Sequence, residues 1–228
     1  MIIYHGSKQI VSQPVYGGGK THNDYGTGFY CTETLDLANE WACAEESSGY
    51  ANRYQFDMEG LTCLNLNNGD YHILNWLAIL LENRTFRTGG NVARAAKAYI
   101  LEKFMVPYKQ YDVIRGYRAD DSYFSFASAF INNTISLSQL SHAMMLGKLG
   151  EQIVLKSRRS FERIHFETAL FADAEVYYPR KKARDDQAQS AFREEQDRGF
   201  LVNEVYILDI LRERWDDNDS RLQRMVFE

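Results

Sequence analysis

The chain has 228 residues, 45% of them hydrophobic and 14% aromatic, which is enough apolar mass for a sizeable core in one domain and too aromatic for a disordered chain. Its net charge of −5 gives no general attraction to nucleic acid or to an anionic membrane and leaves only local basic patches for such contacts. The three cysteines, Cys31, Cys43 and Cys63, are odd in number and form no Cys-x-x-Cys pair, so neither a disulfide framework nor a metal site is expected.

In chain order, Ile2-Ile3 favour extended backbone and Gly6 lets the chain turn, so the first element reads as a short strand ending at His5-Gly6. The loop at 15–24 carries Gly17-Gly18-Gly19. Gly19-Lys20-Thr21 fails the phosphate-loop pattern because Pro14 stands where a glycine is required. Next, Gly26-Thr27-Gly28-Phe29-Tyr30 delivers a tyrosine and leads into a helical segment from Leu35 to Ala42, with Trp41 eleven residues after Tyr30. Residues 54–66 read as two strand segments around Gly60. Asp70 is placed to cap a helix carrying Ile73, Leu74, Leu77, Ile79, Leu80 and Leu81, and a second helix spans about residues 92–104.

Residues 111–117 form a short strand, and either Asp120 or Asp121 can cap the helix that follows or, beside Arg118, contribute to a site. A short helix at 136–146 precedes the Glu151-Gln152-Ile153-Val154-Leu155 strand, and a further strand is expected at about 161–171. From Tyr177 the composition turns charged, and a last helix is expected at about 202–215. The class is mixed α+β. Residues 1–171 are expected to form the main domain and 172–228 a helical C-terminal appendage of the same unit. No apolar stretch approaches the roughly 18 residues of a membrane span, and the chain starts on structure rather than on a charged leader. The expectation is a cytoplasmic protein without membrane contact.

Tyr4-His5-Gly6-Ser7, then Gly26-Thr27-Gly28-Phe29-Tyr30 with an aromatic eleven residues on, then Gly150-Glu151-Gln152-Ile153-Val154-Leu155, resemble the His-Tyr-Glu class of ADP-ribosyltransferases, the diphtheria-toxin and poly-ADP-ribose-polymerase group. The resemblance covers about residues 1–170 and implies a split β-sheet core around an NAD cleft, with inserted helices. It implies NAD as substrate, with His5, Gly6, Ser7, Asn23, Gly28, Tyr30 and Trp41 as binding residues and Glu151, His5 and Tyr30 as catalytic ones. In that scheme His5 bonds the adenosine ribose, the Gly6 peptide pairs with the nicotinamide carboxamide, and Tyr30 and Trp41 stack on the nicotinamide ring. Glu151 holds the 2′-hydroxyl of the nicotinamide ribose. Its charge suits the chemistry, because breaking the nicotinamide–ribose bond develops positive charge at the sugar carbon.

Arginine-modifying members carry an acid two residues before the catalytic Glu and an Arg in place of His5. Leu149 and His5 therefore disfavour an arginine acceptor. The implied activity is mono-ADP-ribosyl transfer to a macromolecule, protein or nucleic acid, in a bacterial toxin or defence effector that an antitoxin or inhibitor protein neutralises. The alternatives are an NAD-dependent RNA 2′-phosphotransferase and a non-catalytic module binding NAD, ADP-ribose or a partner. The basic residues Arg180, Lys181, Lys182 and Arg184, with Arg158, Arg159 and Arg163, offer a phosphate track. Neighbouring Asp185, Asp186, Glu194 and Glu195 make a solvated, self-paired helix the expectation instead.

Overall fold

The computed structural model describes residues 1–86, 88–119, 121–146, 151–199 and 201–222. The fold is mixed α+β, and the chain forms two compact units, each assembled from three segments. The first comprises Met1–Asn65, Tyr108–Arg118 and Leu149–Asp185, and the second Leu66–Pro107, Ala119–Lys148 and Asp186–Glu228. Residues 172–228 are thus shared between the units, dividing after Asp185.

The first unit holds two sheets. One orders β1 (Ile2–Ser7), β3 (Gly49–Phe56) and β7 (Ile164–Ala172) in an antiparallel ribbon with β3 in the middle. The other orders β2 (Phe29–Cys31), β6 (Glu151–Leu155), β5 (Val113–Tyr117) and β4 (Cys63–Asn65), of which only the β4–β5 pair is parallel. Alternation along each strand turns one face inward, so Ile3, Tyr54, Phe56 and Ile164 from the first sheet pack with Phe29, Cys31, Val113, Ile153 and Leu155 from the second.

Helix α1 (Leu35–Ala42) lies against β1, where Gly6 makes the approach possible: a Cβ there would stand 2.0 Å from the carbonyl oxygen of Ala38 and 2.8 Å from the Cβ of Trp41. At the start of β3, Gly49 would likewise drive a Cβ to within 2.4 Å of the Ala42 carbonyl. The expected strand at 161–171 starts later than its apolar residues suggest. Ser157 Oγ accepts the N–H of Ser160 (3.1 Å), which opens a short helix, α6 (Arg158–Glu162), before the chain extends.

The second unit is helical in its described residues: α2 (Ile73–Asn83), α3 (Asn91–Lys103), α4 (Asp121–Ile131), α5 (Leu137–Leu146), α8 (Ile207–Glu213) and the distal part of α7 (Ala174–Asp197). Every residue of α2 from Ile73 to Leu81 is buried, Trp76 among the largest, as its apolar run demands. Asp70 is not its cap: it stands two residues before the N-cap position, and its carboxylate accepts from Asn68 Nδ2 (2.6 Å). The helix starts instead at His72, whose N–H donates to Asn75 Oδ1 (2.9 Å). The last helix is shorter than the periodicity suggests and ends at Arg214 in a left-handed conformation (φ 55°). Among the described residues no helix is long and apolar enough to cross a membrane, and no group of three His, Cys, Asp or Glu is placed to hold a metal ion. The three cysteines are free thiols.

Candidate functional site

All eight residues singled out for NAD lie in the first unit, where the two sheets meet and then part. The meeting point is one bridge: Tyr4 N–H donates to the Thr32 carbonyl (2.7 Å), and Thr32 N–H donates to the Tyr4 carbonyl (2.9 Å). Both backbone groups of Tyr4 therefore face away from β3. Because a strand repeats every two residues, the N–H and C=O of Gly6 face the same way. Beyond the bridge β1 and β2 diverge, so the Gly6 peptide stands on an open edge beside Tyr30.

His5 spans this parting. Its Nδ1 lies 2.7 Å from the Tyr30 carbonyl; since a carbonyl only accepts, Nδ1 carries the hydrogen, and in the neutral ring Nε2 is left as an acceptor. Burial lowers the imidazole pKa, opposed by the Tyr30 bond, so the neutral tautomer prevails near pH 7. The ring rests on Phe29, centroids 4.3 Å apart.

The Tyr30 hydroxyl is committed to its own loop. It donates to the Gly26 carbonyl (2.6 Å) and accepts from Tyr25 N–H (3.1 Å). The same loop is braced at Asn23, whose carbonyl accepts Gly26 N–H (2.9 Å). At Gly28 a Cβ would sit 2.6 Å from Val154 Cγ1, so this glycine serves the packing of the loop against β6. Ser7 Oγ donates to the Gln9 carbonyl (2.5 Å) and accepts from Asn52 Nδ2 (3.2 Å).

Trp41 lies beside Gly6 across the β1–α1 contact. The Arg118 guanidinium stands over its ring at 4.8 Å from the centroid, and its buried indole N–H meets no acceptor among the described residues. The space of the side chain missing at Gly6 is taken by α1, and the strand's open edge is what remains for a ligand.

Glu151 opens β6 opposite Tyr117. Its Oε2 accepts from Arg115 Nε (3.0 Å) and Nη2 (2.6 Å), and the same Nη2 also bonds Glu33. Continuing the β2–β6 register two residues past the Cys31–Ile153 pair sets Glu33 opposite Glu151. Arg115 thus links two carboxylates from neighbouring strands, with the Glu151 and Arg115 side chains only 28% and 26% exposed. His5 and Tyr30 are in direct contact, whereas Glu151 joins them through β2. Leu149, Gly150 and Asp120 lie outside the described residues.

Sequence reasoning missed four residues that build this site: Glu33, Asn52, Arg115 and Lys156. Fully buried Asn52 donates to the His5 carbonyl (3.1 Å) and accepts Val11 N–H (2.8 Å), tying the end of β1 to the turn that follows. A polar residue inside β3 and a charge inside the apolar run of β5 were signals that a site was near. Several of the basic residues expected to track phosphate or to pair within their own helix reach other elements. Arg184 bonds buried Glu40 (2.7 Å), Arg180 faces Asp36 (3.9 Å), and Lys181 donates to the Cys43 carbonyl (3.3 Å). Arg158 covers Tyr16, Arg159 pairs with Asp112 and Arg163 with Asp57.

Residues 1–166 match the profile of the family described as "Protein of unknown function (DUF3990)". The chain belongs to this family. The match ends within β7 and takes in every other strand and all eight residues of the candidate site. No curated protein and no solved structure matches the chain.

Proposed function

We propose that this member of the family is an NAD-dependent mono-ADP-ribosyltransferase that breaks the nicotinamide–ribose bond and passes ADP-ribose to a macromolecular acceptor, protein or nucleic acid. One observation carries the reading. β1 and β2 part directly after the Tyr4–Thr32 bridge, leaving the His5 ring and the Gly6 edge beside Tyr30, with the strand bearing Glu151 paired to β2.

Each group suits one part of the dinucleotide. The outward N–H and C=O of Gly6 match the acceptor and donor of a carboxamide. The face of Tyr30 suits a flat heteroaromatic ring, a contact of about 1 to 3 kcal/mol by analogy with stacked bases. Neutral His5 offers Nε2 to a ribose hydroxyl. As the C1′–N bond breaks, its electron pair leaves with neutral nicotinamide and positive charge gathers on the sugar, where the Glu151 carboxylate stabilises it. The acceptor's lone pair then closes on C1′ and its proton passes to that carboxylate. Arg115 holds the carboxylate in place through its Nε and Nη2 bonds.

The test is incubation of the purified protein with NAD labelled separately in nicotinamide and adenine, together with a cell extract. The expected result is free nicotinamide and adenine label on a macromolecule. Intact NAD after long incubation contradicts the proposal, as does loss of a 2′-phosphate from RNA without stable label, which marks a phosphotransferase instead.

A further inference from the structure

Lys156 follows the last residue of β6, and its half-buried side chain runs back to the loop before β2. Its Nζ donates to the carbonyls of Tyr25 and Thr27, each at 2.5 Å. Between those two carbonyls lies Gly26, in a left-handed turn (φ 72°), whose own carbonyl takes the Tyr30 hydroxyl. Tyr25 N–H reaches the same hydroxyl, and the Tyr25 hydroxyl donates to the Tyr117 carbonyl (2.6 Å). The turn is thus clamped from two sides, by an ammonium on one and by the phenol of Tyr30 on the other. An ammonium withdrawn from water without a carboxylate partner is costly, and a neutral side chain would serve for simple loop anchoring. We propose that Lys156 is a positioning residue that fixes the 25–28 turn and so sets the orientation in which the Tyr30 ring meets the nicotinamide ring, an assignment that rests on reading this site as an NAD site.

Of the charged groups around it, Lys109 in the 3-10 turn Tyr108–Gln110 acts on it directly. The carboxylate of Asp112, whose backbone carbonyl accepts Lys156 N–H (2.9 Å), is turned to Thr62, Ser157 and Arg159. Burial first, and then Lys109, bring the lysine pKa down to about 8. Deprotonation weakens both carbonyl bonds, because a charged donor bonds about twice as strongly as a neutral one.

Hydrogen exchange without NAD, followed by NAD binding and turnover between pH 7 and pH 9, compares wild type with Lys156→Met, Lys156→Arg and Tyr30→Phe. In Lys156→Met the peptides over residues 24–30 exchange faster while the rest of the protein is unchanged, and KM for NAD rises about tenfold with kcat largely kept. Wild-type affinity weakens as pH rises through the lysine's range, and Lys156→Arg, which keeps its charge, removes that dependence. Tyr30→Phe loosens the same peptides, and adding Lys156→Met to it has less than additive effect. Unchanged exchange at 24–30 in both Lys156→Met and Tyr30→Phe overturns the assignment, as does an alkaline limb that persists in Lys156→Arg. If wild type binds no NAD, the functional reading fails, and the exchange data still decide whether Lys156 fixes the turn.

Discussion

The two units use buried polar groups in opposite ways. In the helical unit such groups close helix ends and join helices to loops. Asn75 Nδ2 donates to the Phe104 carbonyl (3.0 Å), Ser136 N–H to Gln139 Oε1 (2.7 Å), and Tyr99 Oη to the Trp215 carbonyl (3.0 Å). Each bond satisfies a group that folding itself orphaned. In the two-sheet unit the polar groups gather where strands separate, and their bonds leave an imidazole nitrogen and a strand edge over, beside a carboxylate gripped by arginine. The difference teaches where activity is to be sought. A scaffold spends its polar groups on itself, whereas a site holds some back.

That comparison can be pressed by substitution, beginning with the largest effect. Glu151→Gln keeps the side-chain shape and removes the charge at the developing cation, so transfer should fall about a thousandfold with NAD affinity retained; full transfer in this variant contradicts the assigned role. Trp76→Ala, deep in α2 at 1% exposure, should cost about 3 to 5 kcal/mol of unfolding free energy, seen as a lower denaturation midpoint. Gly6→Ala sets a Cβ against the Ala38 carbonyl and should cost about 2 to 3 kcal/mol, because backbone cannot move aside as a side chain can. Its loss of NAD binding should accompany this, since the same shift displaces the strand edge.

Acidification acts on the two-sheet unit more gently. Burial alone would raise the Asp112 carboxyl, but bonds from Ser157 and Thr62 and the charge of Arg159 hold it below the usual range. The unfolded chain therefore binds its proton first, and the stability this group contributes is present above the ordinary aspartate range and lost as pH falls through its depressed folded value. His5, lowered by burial, acts in the same direction at higher pH: its contribution is complete above the ordinary imidazole range and lost as pH drops below it. Asp112→Asn should remove the lower of these two losses and cost about 2 kcal/mol at neutral pH. The smallest effect is expected at Arg163→Ala, whose ion pair with Asp57 is half exposed on both sides, with a change below about 0.5 kcal/mol.

What was legible in the sequence is what short-range pattern encodes. The first strand, though it runs on to Ser7 rather than ending at His5-Gly6, the helix from Leu35 to Ala42, the buried run of α2 and the strand opened by Glu151 all follow from spacing within a dozen residues. What was not legible depends on partners far apart in the chain. Arg115 meets Glu33 and Glu151 at separations of 82 and 36 residues, Asn52 reaches His5 across 47, and Lys156 reaches Tyr25 across 131. The same distance effect undid two local readings. Arg180, Lys181 and Arg184 sit among acids in sequence but turn to α1, and Phe161 alternates like a strand residue but follows a serine cap.

The central claim is that the strand edge left open at Gly6 receives the nicotinamide end of NAD. Amide NMR of the labelled protein during NAD titration tests it most directly. The account predicts a saturable shift and slowed exchange at the Gly6 N–H, with changes at His5 and Tyr30 and none beyond background at Trp76. A Gly6 amide that does not respond while NAD binds elsewhere would contradict it.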